Sequence, residues 1–224
     1  MDGNGRWAEL RGKPRSFGHR QGLNTAKKVI ESAIGLGVEW LTLYVFSTEN
    51  WKRPEREVHF LMDLLGRYMK IEAPFYHRNH IRLHHIGDPK DLPAEVSRGI
   101  VSAAEATSSY TAINLALAIN YGGRDEISRA VGRWFEGKTA RGEDITSAPA
   151  VEEISAFLDL PEAPPPDLII RTAGEQRMSN FLLWESAYSE YYFSDLLWPD
   201  FNGEALKQAV EAYRGRKRTY GGIG

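Results

Sequence analysis

The chain has 224 residues, 42% of them hydrophobic and 26% charged, with 28 Lys and Arg against 30 Asp and Glu for a formal net charge of −2. This composition suits a soluble globular chain organised as one large domain with a substantial core. Cysteine is absent, which excludes a disulfide scaffold, a thiolate nucleophile and a cysteine-ligated metal. No apolar stretch approaches the ~18 residues of a spanning helix, and the polar, glycine-rich start Met1-Asp2-Gly3-Asn4-Gly5-Arg6 does not read as a secretory signal.

Taken in chain order, Gln21 to Gly37 reads as a helix, with Ala26, Val29, Ile30, Ala33 and Ile34 at helical spacing and glycine at its close. Trp40 to Phe46 is short, β-branched and aromatic, as a buried strand is. From Pro54 to about Phe75, Val58, Leu61, Met62, Leu65 and Met69 fall on one helical face. Ile81 to Ile86 is a second strand, stopped by Gly87-Asp88-Pro89, and Pro93 opens a helix running to about Ala106. Thr111 to Ile119 is a strong strand, and the helix that follows Gly122-Gly123 ends near Glu136. Gly137 to Pro149 is a polar surface excursion. Pro164-Pro165-Pro166 is a rigid spacer before the strand Asp167 to Ile170; Tyr191 to Phe193 is a last short strand, and Gly203 to Arg214 a last helix. Strands alternating with helices predict a single α/β domain with a central, mostly parallel sheet flanked by helices.

Ligands of such sheets sit at the carboxyl ends of the strands, and the polar residues gather there. Ser47-Thr48-Glu49-Asn50-Trp51-Lys52-Arg53 follows one strand, Asn120-Tyr121-Gly122-Gly123-Arg124 another, and Arg171-Thr172-Ala173-Gly174-Glu175-Gln176-Arg177-Met178-Ser179-Asn180 a third. Each offers arginine, a hydroxyl or amide, and a turn, which is anion-binding chemistry. Asp2 to Trp7 adds a glycine-rich turn able to feed a helix N-terminus, where free N–H groups favour phosphate. Asp2 beside it can hold a magnesium ion that bridges a diphosphate, or be a mobile residue at the chain end. Arg171, Arg177 and Ser179 fit a diphosphate better than a single carboxylate; the plainer alternative pairs the two arginines with Glu175 and Glu185. His19, between Arg15 and Arg20, can donate to phosphate or move a proton, although an isolated histidine is ordinarily structural. His84 and His85 alternate with apolar residues on a strand and read as structural.

The motifs narrow the chemistry further. There is no GxSxG elbow, no HExxH spacing and no aspartate-rich DDxxD cluster. The charge is polarised: residues 1–20 carry five Lys or Arg against Asp2 and Glu9, while residues 212–224 carry Arg214, Arg216, Lys217 and Arg218 with no acid. Basic ends on an acidic body suit nucleic acid, a membrane surface or an anionic small molecule. Nucleic acid is disfavoured, because the arginines sit with acids and glycines rather than among interleaved aromatics. From the residues alone, the reading stops at phosphoryl or diphosphate chemistry on an α/β protein.

These same residues make the chain resemble the cis-prenyltransferase family, of the undecaprenyl diphosphate synthase type. The resemblance spans essentially the whole sequence: Met1-Asp-Gly-Asn-Gly-Arg-Trp7, Gly18-His19, Leu43 to Pro54, Asn120-Tyr-Gly-Gly-Arg124, Asp167 to Trp184, Glu190, and Leu197-Trp-Pro-Asp-Phe201. It implies condensation of isopentenyl diphosphate with an allylic diphosphate, usually farnesyl diphosphate, to form Z double bonds, with magnesium as cofactor. It assigns Asp2 and Asn50 to catalysis, Asp2 and Glu190 to magnesium, Gly3, Asn4, Gly5, Arg6, Arg15 and His19 to the allylic diphosphate, and Trp7 to substrate binding. Arg171, Arg177 and Ser179 are assigned to isopentenyl diphosphate, and Ser47, Glu49, Asn50, Trp51, Arg53 and Glu57 to a mobile loop and helix over the substrates. Leu43, Val45, Leu61, Leu65, Met69, Leu115 and Leu117 are then both core and candidate tunnel wall.

Members of that family usually carry a hydrophobic strand ahead of the Asp-Gly-Asn-Gly segment, and this sequence starts at that segment; the expectation is either a misplaced or truncated start or a sheet that lacks its first strand. Arg218-Thr-Tyr-Gly-Gly222 resembles the family's basic, aromatic, glycine-containing tail and implies a homodimer. A cytoplasmic enzyme with a peripheral membrane contact for product release completes the expectation. The competing expectation is a catalytically silent subunit of the same fold. Such subunits lose the aspartate and the phosphate-binding arginines; Asp2, Arg171, Arg177 and Glu190 are all present here.

Overall fold

The computed structural model describes residues 1–216. Its elements run as helices α1 (Asn4–Glu9) and α2 (Arg15–Gly35), strand β1 (Trp40–Ser47), a 3₁₀ turn (Thr48–Lys52), helices α3 (Glu55–Ile71) and α4 (Ala73–Arg78), strand β2 (Ile81–Ile86) and helix α5 (Ala94–Thr107). Strand β3 (Ile113–Tyr121), helices α6 (Gly123–Ala140) and α7 (Val151–Ser155), strands β4 (Leu168–Arg171) and β5 (Glu190–Phe193), and helix α8 (Gly203–Arg214) complete the described chain. The chain arranges these elements in two compact units. One comprises Met1–Gly37, Pro166–Gln176 and the described chain from Tyr188 to Arg216; the other comprises Val38–Pro165 and Arg177–Ala187.

The second unit holds a parallel three-stranded sheet in the order β1-β3-β2. β3 lies in the middle and is buried along nearly all its length, which is why Ile-Asn-Leu-Ala-Leu-Ala-Ile-Asn-Tyr reads as a continuous apolar run instead of alternating. β1 runs beside it from Trp40↔Asn114 to Ser47↔Tyr121, with the register slipping around Phe46. A bulge there re-aims the strand where the Ser47 loop begins. Helix α5 packs on β2 and α3, α4 packs on β2, and α6 packs on α7. Of the candidate tunnel residues, Leu43, Leu65, Met69, Leu115 and Leu117 are buried, and Val45 and Leu61 half-buried.

The first unit pairs β4 and β5 in parallel, from Leu168↔Glu190 to Arg171↔Phe193, with α8 against both strands. Helix α2 packs on α1, on α8 and on the 3₁₀ turn Trp198–Asp200. Two side-chain bonds fix that turn: Trp198 Nε1 donates to Gly22 O at 2.9 Å, and Thr25 Oγ1 donates to Pro199 O at 3.0 Å. The α/β class with parallel strands flanked by helices is the one the sequence predicts.

Several boundaries differ from the periodicity. Helix α2 starts at Arg15, well before Gln21, because Pro14 presets the entry and lacks an N–H to leave unpaired. The helix expected from Pro54 to Phe75 is two helices. α3 stops where Glu72 N–H closes on Tyr68 O at 2.9 Å, and α4 restarts with Pro74 in its first turn. α6 runs on to Ala140, and the polar stretch after it leads into the short α7, which the sequence reading omits. Among the described residues, no helix is long and apolar enough to cross a membrane. The tail at residues 218–222 lies outside the described residues.

Candidate active site

In the first unit the site is built around the backbone of Asp2. Its N–H donates to Thr172 Oγ1 at 2.9 Å; its carbonyl accepts from Thr172 Oγ1 at 2.9 Å and from Trp198 N–H at 2.9 Å. These bonds make Asp2 a fixed residue and remove the mobile alternative. With the backbone held, the side chain reaches Arg171 at the end of β4: Arg171 Nε and Nη2 lie 3.0 and 2.9 Å from Asp2 Oδ2. Arg171 is mostly covered, whereas the Asp2 side chain is 46% exposed, so the pair is half-desolvated.

Gly3 turns the chain into α1 with φ 103°, and a side chain there would come within 2.8 Å of Leu197. Only glycine combines that conformation with that neighbour. No side chain caps α1, so the first-turn N–H groups of Asn4, Gly5 and Arg6 have no intrahelical acceptor. Gly5 lies under the Arg15 guanidinium, where an added Cβ would approach it to 2.5 Å. Arg15 is also held by Glu9 at 2.9 Å, and Arg6 by Glu175 at 2.9 Å and Ala173 O at 3.2 Å. Trp7 donates through Nε1 to Asp200 Oδ1 at 2.7 Å and lies under the Arg11 guanidinium, 4.1 Å from its ring centre. His19 sits half-buried near the start of α2. The predicted residues Asp2, Gly3, Asn4, Gly5, Arg6, Trp7, Arg15, His19 and Arg171 thus belong to one unit, as does Glu190 at the head of β5. Glu190 Oε2 accepts from Arg216 Nη1 at 2.6 Å.

The remaining predicted residues belong to the second unit. The 3₁₀ turn after β1 is closed by a reciprocal cap between Ser47 and Asn50, in which Asn50 Oδ1 accepts Ser47 N–H at 3.3 Å. Trp51 stacks edge-on against Phe46 at 5.1 Å and donates through Nε1 to Asn120 Oδ1 at 2.7 Å. Arg53 pairs with Glu57 at 3.1 Å. Glu49 accepts from Asn180 Nδ2 at 2.9 Å. Partial burial opposes its charge, but that bond and the surrounding hydroxyl and backbone donors prevail and hold its carboxyl below the usual range. Arg177 and Ser179 lie exposed on a segment with positive φ at Ser179, Asn180 and Leu182 (48°, 63° and 46°). Consecutive non-glycine residues in that region persist only where the surroundings dictate them.

Of the acids and arginines in this region, Asp2 binds Arg171, Arg6 binds Glu175, and Glu185 meets Glu126. His84 and His85 are structural, bonded through Nε2 to Asn114 Oδ1 and Ile119 O, both at 3.0 Å. Sequence reasoning passed over Thr172, Asn180 and the side-chain role of Asn120, all lying inside motifs it quoted for other residues. Among the described residues, no cluster of three His, Asp or Glu side chains is arranged to hold an ion. One carboxylate beside arginines and open N–H groups suits a magnesium ion that arrives chelated by phosphate oxygens, in contrast to one caged by protein.

Residues 1–221 match the family described as "Putative undecaprenyl diphosphate synthase". The chain is 51% identical over 224 residues to an isoprenyl transferase of Treponema pallidum, covering 100% of this chain and 96% of that one. It is 50% identical over 221 residues to that of Treponema denticola, covering 99% and 94%. Among solved structures it resembles lavandulyl diphosphate synthase from Lavandula x intermedia in complex with dimethylallyl diphosphate, with a TM-score of 0.92 at 33% identity over 99% of this chain and 95% of that one. It also resembles a probable undecaprenyl diphosphate synthase from Campylobacter jejuni, with a TM-score of 0.78 at 36% identity over 90% and 92%. A fixed aspartate–arginine pair beside an open helix start, in a chain matched along its whole length, places this protein in the undecaprenyl diphosphate synthase family of isoprenyl transferases.

Proposed function

We propose that this transferase is a magnesium-dependent cis-prenyltransferase. It condenses isopentenyl diphosphate with an allylic diphosphate, farnesyl diphosphate by the resemblance, into a Z-polyprenyl diphosphate. The product reading is the undecaprenyl lipid-carrier precursor for cell-wall synthesis. The single domain, the homodimer, cytoplasmic residence and a peripheral membrane contact for product release belong to the same proposal. The homodimer rests on the tail resemblance at residues 218–222.

The observation that carries the reading is the Asp2–Arg171 pair on a backbone fixed by Thr172 and Trp198. In the reaction a carbon–carbon bond forms between the isopentenyl double bond and the allylic carbon, the allylic carbon–oxygen bond breaks, and one proton leaves. Negative charge then accumulates on the departing diphosphate. The open N–H groups of Asn4, Gly5 and Arg6, the Arg6 and Arg15 guanidiniums and His19 stabilise that charge as it develops. Asp2 would hold magnesium, with Glu190 assisting after Arg216 lets go, and the ion would add Lewis-acid stabilisation of the leaving group. Arg171, Arg177 and Ser179 bind isopentenyl diphosphate, and holding both diphosphates supplies the proximity advantage. Asn50, whose Oδ1 is taken by Ser47 N–H, acts by shaping the turn that presents Trp51 and Arg53 instead of accepting the proton itself. The test is turnover of radiolabelled isopentenyl diphosphate with farnesyl diphosphate, with and without magnesium. Polyprenyl product that requires magnesium is expected, and absence of product under every condition rejects the reading.

A further inference from the structure

Within the second unit, the segment Arg177–Ala187 carries two residues assigned above to isopentenyl diphosphate. Its upstream half is tied to the start of α6 through Asn180, whose backbone carbonyl accepts Gly123 N–H at 2.7 Å and whose Oδ1 accepts Arg124 N–H at 2.9 Å. Phe181 stacks on Tyr44 at 4.6 Å, and Leu182 is buried with Ile86, Ala118 and Tyr121. Trp184 donates through Nε1 to Ser155 Oγ at 3.0 Å. The downstream end closes on something unusual, a second carboxyl group.

Glu126, in the first turn of α6, is 1% exposed. Its Oε2 accepts the Tyr121 hydroxyl and its Oε1 accepts Asp159 N–H at 3.1 Å. The Glu185 side chain meets the Glu126 carboxyl, and its Oε2 is buried without a hydrogen-bond donor. Among the described residues, no cation pairs with either carboxyl. Arg129 binds Asp159 Oδ2 at 2.7 Å and Asp125 at 2.7 Å, Arg133 binds Asp159 at 3.0 Å, and Asp159 also accepts Gly87 N–H at 2.9 Å. His85 spends Nε2 on Ile119 O, and burial lowers its affinity for a proton. The groups facing Glu185 are therefore Glu126, Tyr121 and Asp159, two acids and a hydroxyl that donates elsewhere. Two carboxyl groups in such contact cannot both be ionised.

We infer that Glu126 and Glu185 share one proton, and that this carboxyl–carboxylate clasp seats the Arg177–Ala187 segment on α6, making Glu185 a positioning residue for Arg177 and Ser179. Burial, then the nearby Glu126 charge, push the Glu185 carboxyl up to about 8. Above that pH the proton passes to solvent, two like charges face each other, and the segment loosens at its downstream end. The inference rests on the reading that Arg177 and Ser179 bind isopentenyl diphosphate.

The experiment measures KM for each substrate and kcat from about pH 7 to about pH 9, in the parent enzyme and in Glu185→Gln and Glu185→Ala. In the parent, KM for isopentenyl diphosphate should rise roughly tenfold across that range as the seated fraction falls, with KM for the allylic substrate nearly constant. Glu185→Gln, which keeps the shape of the neutral form, should give a low, flat profile, and Glu185→Ala a raised, flat one. A flat parent profile, or the same rise in Glu185→Gln, overturns the inference. Turnover without any role for Arg177, shown by an unchanged KM in Arg177→Ala, overturns the reading beneath it instead. If no variant turns over, emission of Trp184 is followed against pH, with Trp184→Phe as the blank. A transition near pH 8 in the parent that vanishes in Glu185→Gln supports the clasp, and identical traces reject it.

Discussion

Asp2 Oδ2 accepts from Arg171 through both Nε at 3.0 Å and Nη2 at 2.9 Å. Arg171 is thereby held in a fixed orientation, with the Asp2 side chain half exposed. Asp2→Ala should lower kcat by about 10² to 10³-fold, the range for removing one transition-state charge stabiliser, with binding of the allylic diphosphate largely kept. Steady-state kinetics and equilibrium binding of the allylic substrate check this together. Unchanged kcat would remove Asp2 from the chemistry.

Thr172 both accepts from Asp2 N–H and donates to Asp2 O. Thr172→Val preserves shape but strands the Asp2 N–H and leaves its carbonyl with Trp198 N–H alone, a change that costs about 1–3 kcal/mol. A lower Tm and a loss of kcat are expected together in Thr172→Val, and Thr172→Ser should restore both. A variant that loses stability but not kcat would show that Asp2 is held well enough by Trp198.

Asn120 serves two partners from a left-handed backbone with φ 52°: Trp51 Nε1 donates to its Oδ1, and its Nδ2 donates to Asp88 O at 2.8 Å. Asn120→Ala loses both bonds and keeps the backbone strain, whereas Asn120→Gly loses the bonds and relieves the strain. Denaturant unfolding should rank parent, Asn120→Gly, Asn120→Ala in falling stability, with the glycine variant ahead of alanine by roughly 1 kcal/mol. Both should raise KM through the unfixed Trp51. Equal stability of the two variants would show that the left-handed backbone at position 120 carries no measurable strain.

The clasp also leaves a mark on stability that needs no substrate. Glu185 binds its proton more tightly folded than unfolded, so the native state holds the extra proton from the ordinary carboxylate range up to about pH 8. Where the native state binds more protons, stability falls as pH rises. The contribution is whole at low pH and gone above the folded pKa. Across pH 5 to 8, Glu185→Gln should flatten the pH dependence of the unfolding free energy by about one proton relative to the parent. Urea titrations at several pH values measure this, and parallel slopes would contradict it.

The strands were legible because their physics is local: Trp40–Ser47, Ile81–Ile86 and Ile113–Tyr121 are β-branched or apolar runs with turn residues at both ends. The break at Glu72 was legible in principle, since Pro74 forbids a continuous ladder, yet the apolar spacing through Met69 and Phe75 hides it. Arg15 opens α2 among polar residues with no apolar period, so only Pro14 marks that start. At the site, Asp2, Arg6 and Arg171 stand out by type. Their partners do not, because Asp2–Thr172 and Arg6–Glu175 are set by tertiary proximity alone. Glu126 reads as an ordinary acid favouring a helix N-terminus, and nothing in the sequence announces that a second carboxyl will be buried against it.

The residues that fix Asp2 lie 170 and more positions downstream, at Thr172 and Trp198. During synthesis the first seven residues leave the ribosome long before either partner exists. A chain arrested before Trp198 therefore has the glycine turn and the arginines but not the closed Asp2 bonds, and such distant closures come late in folding. The anchoring of Asp2 is therefore one of the last features of the fold to be completed.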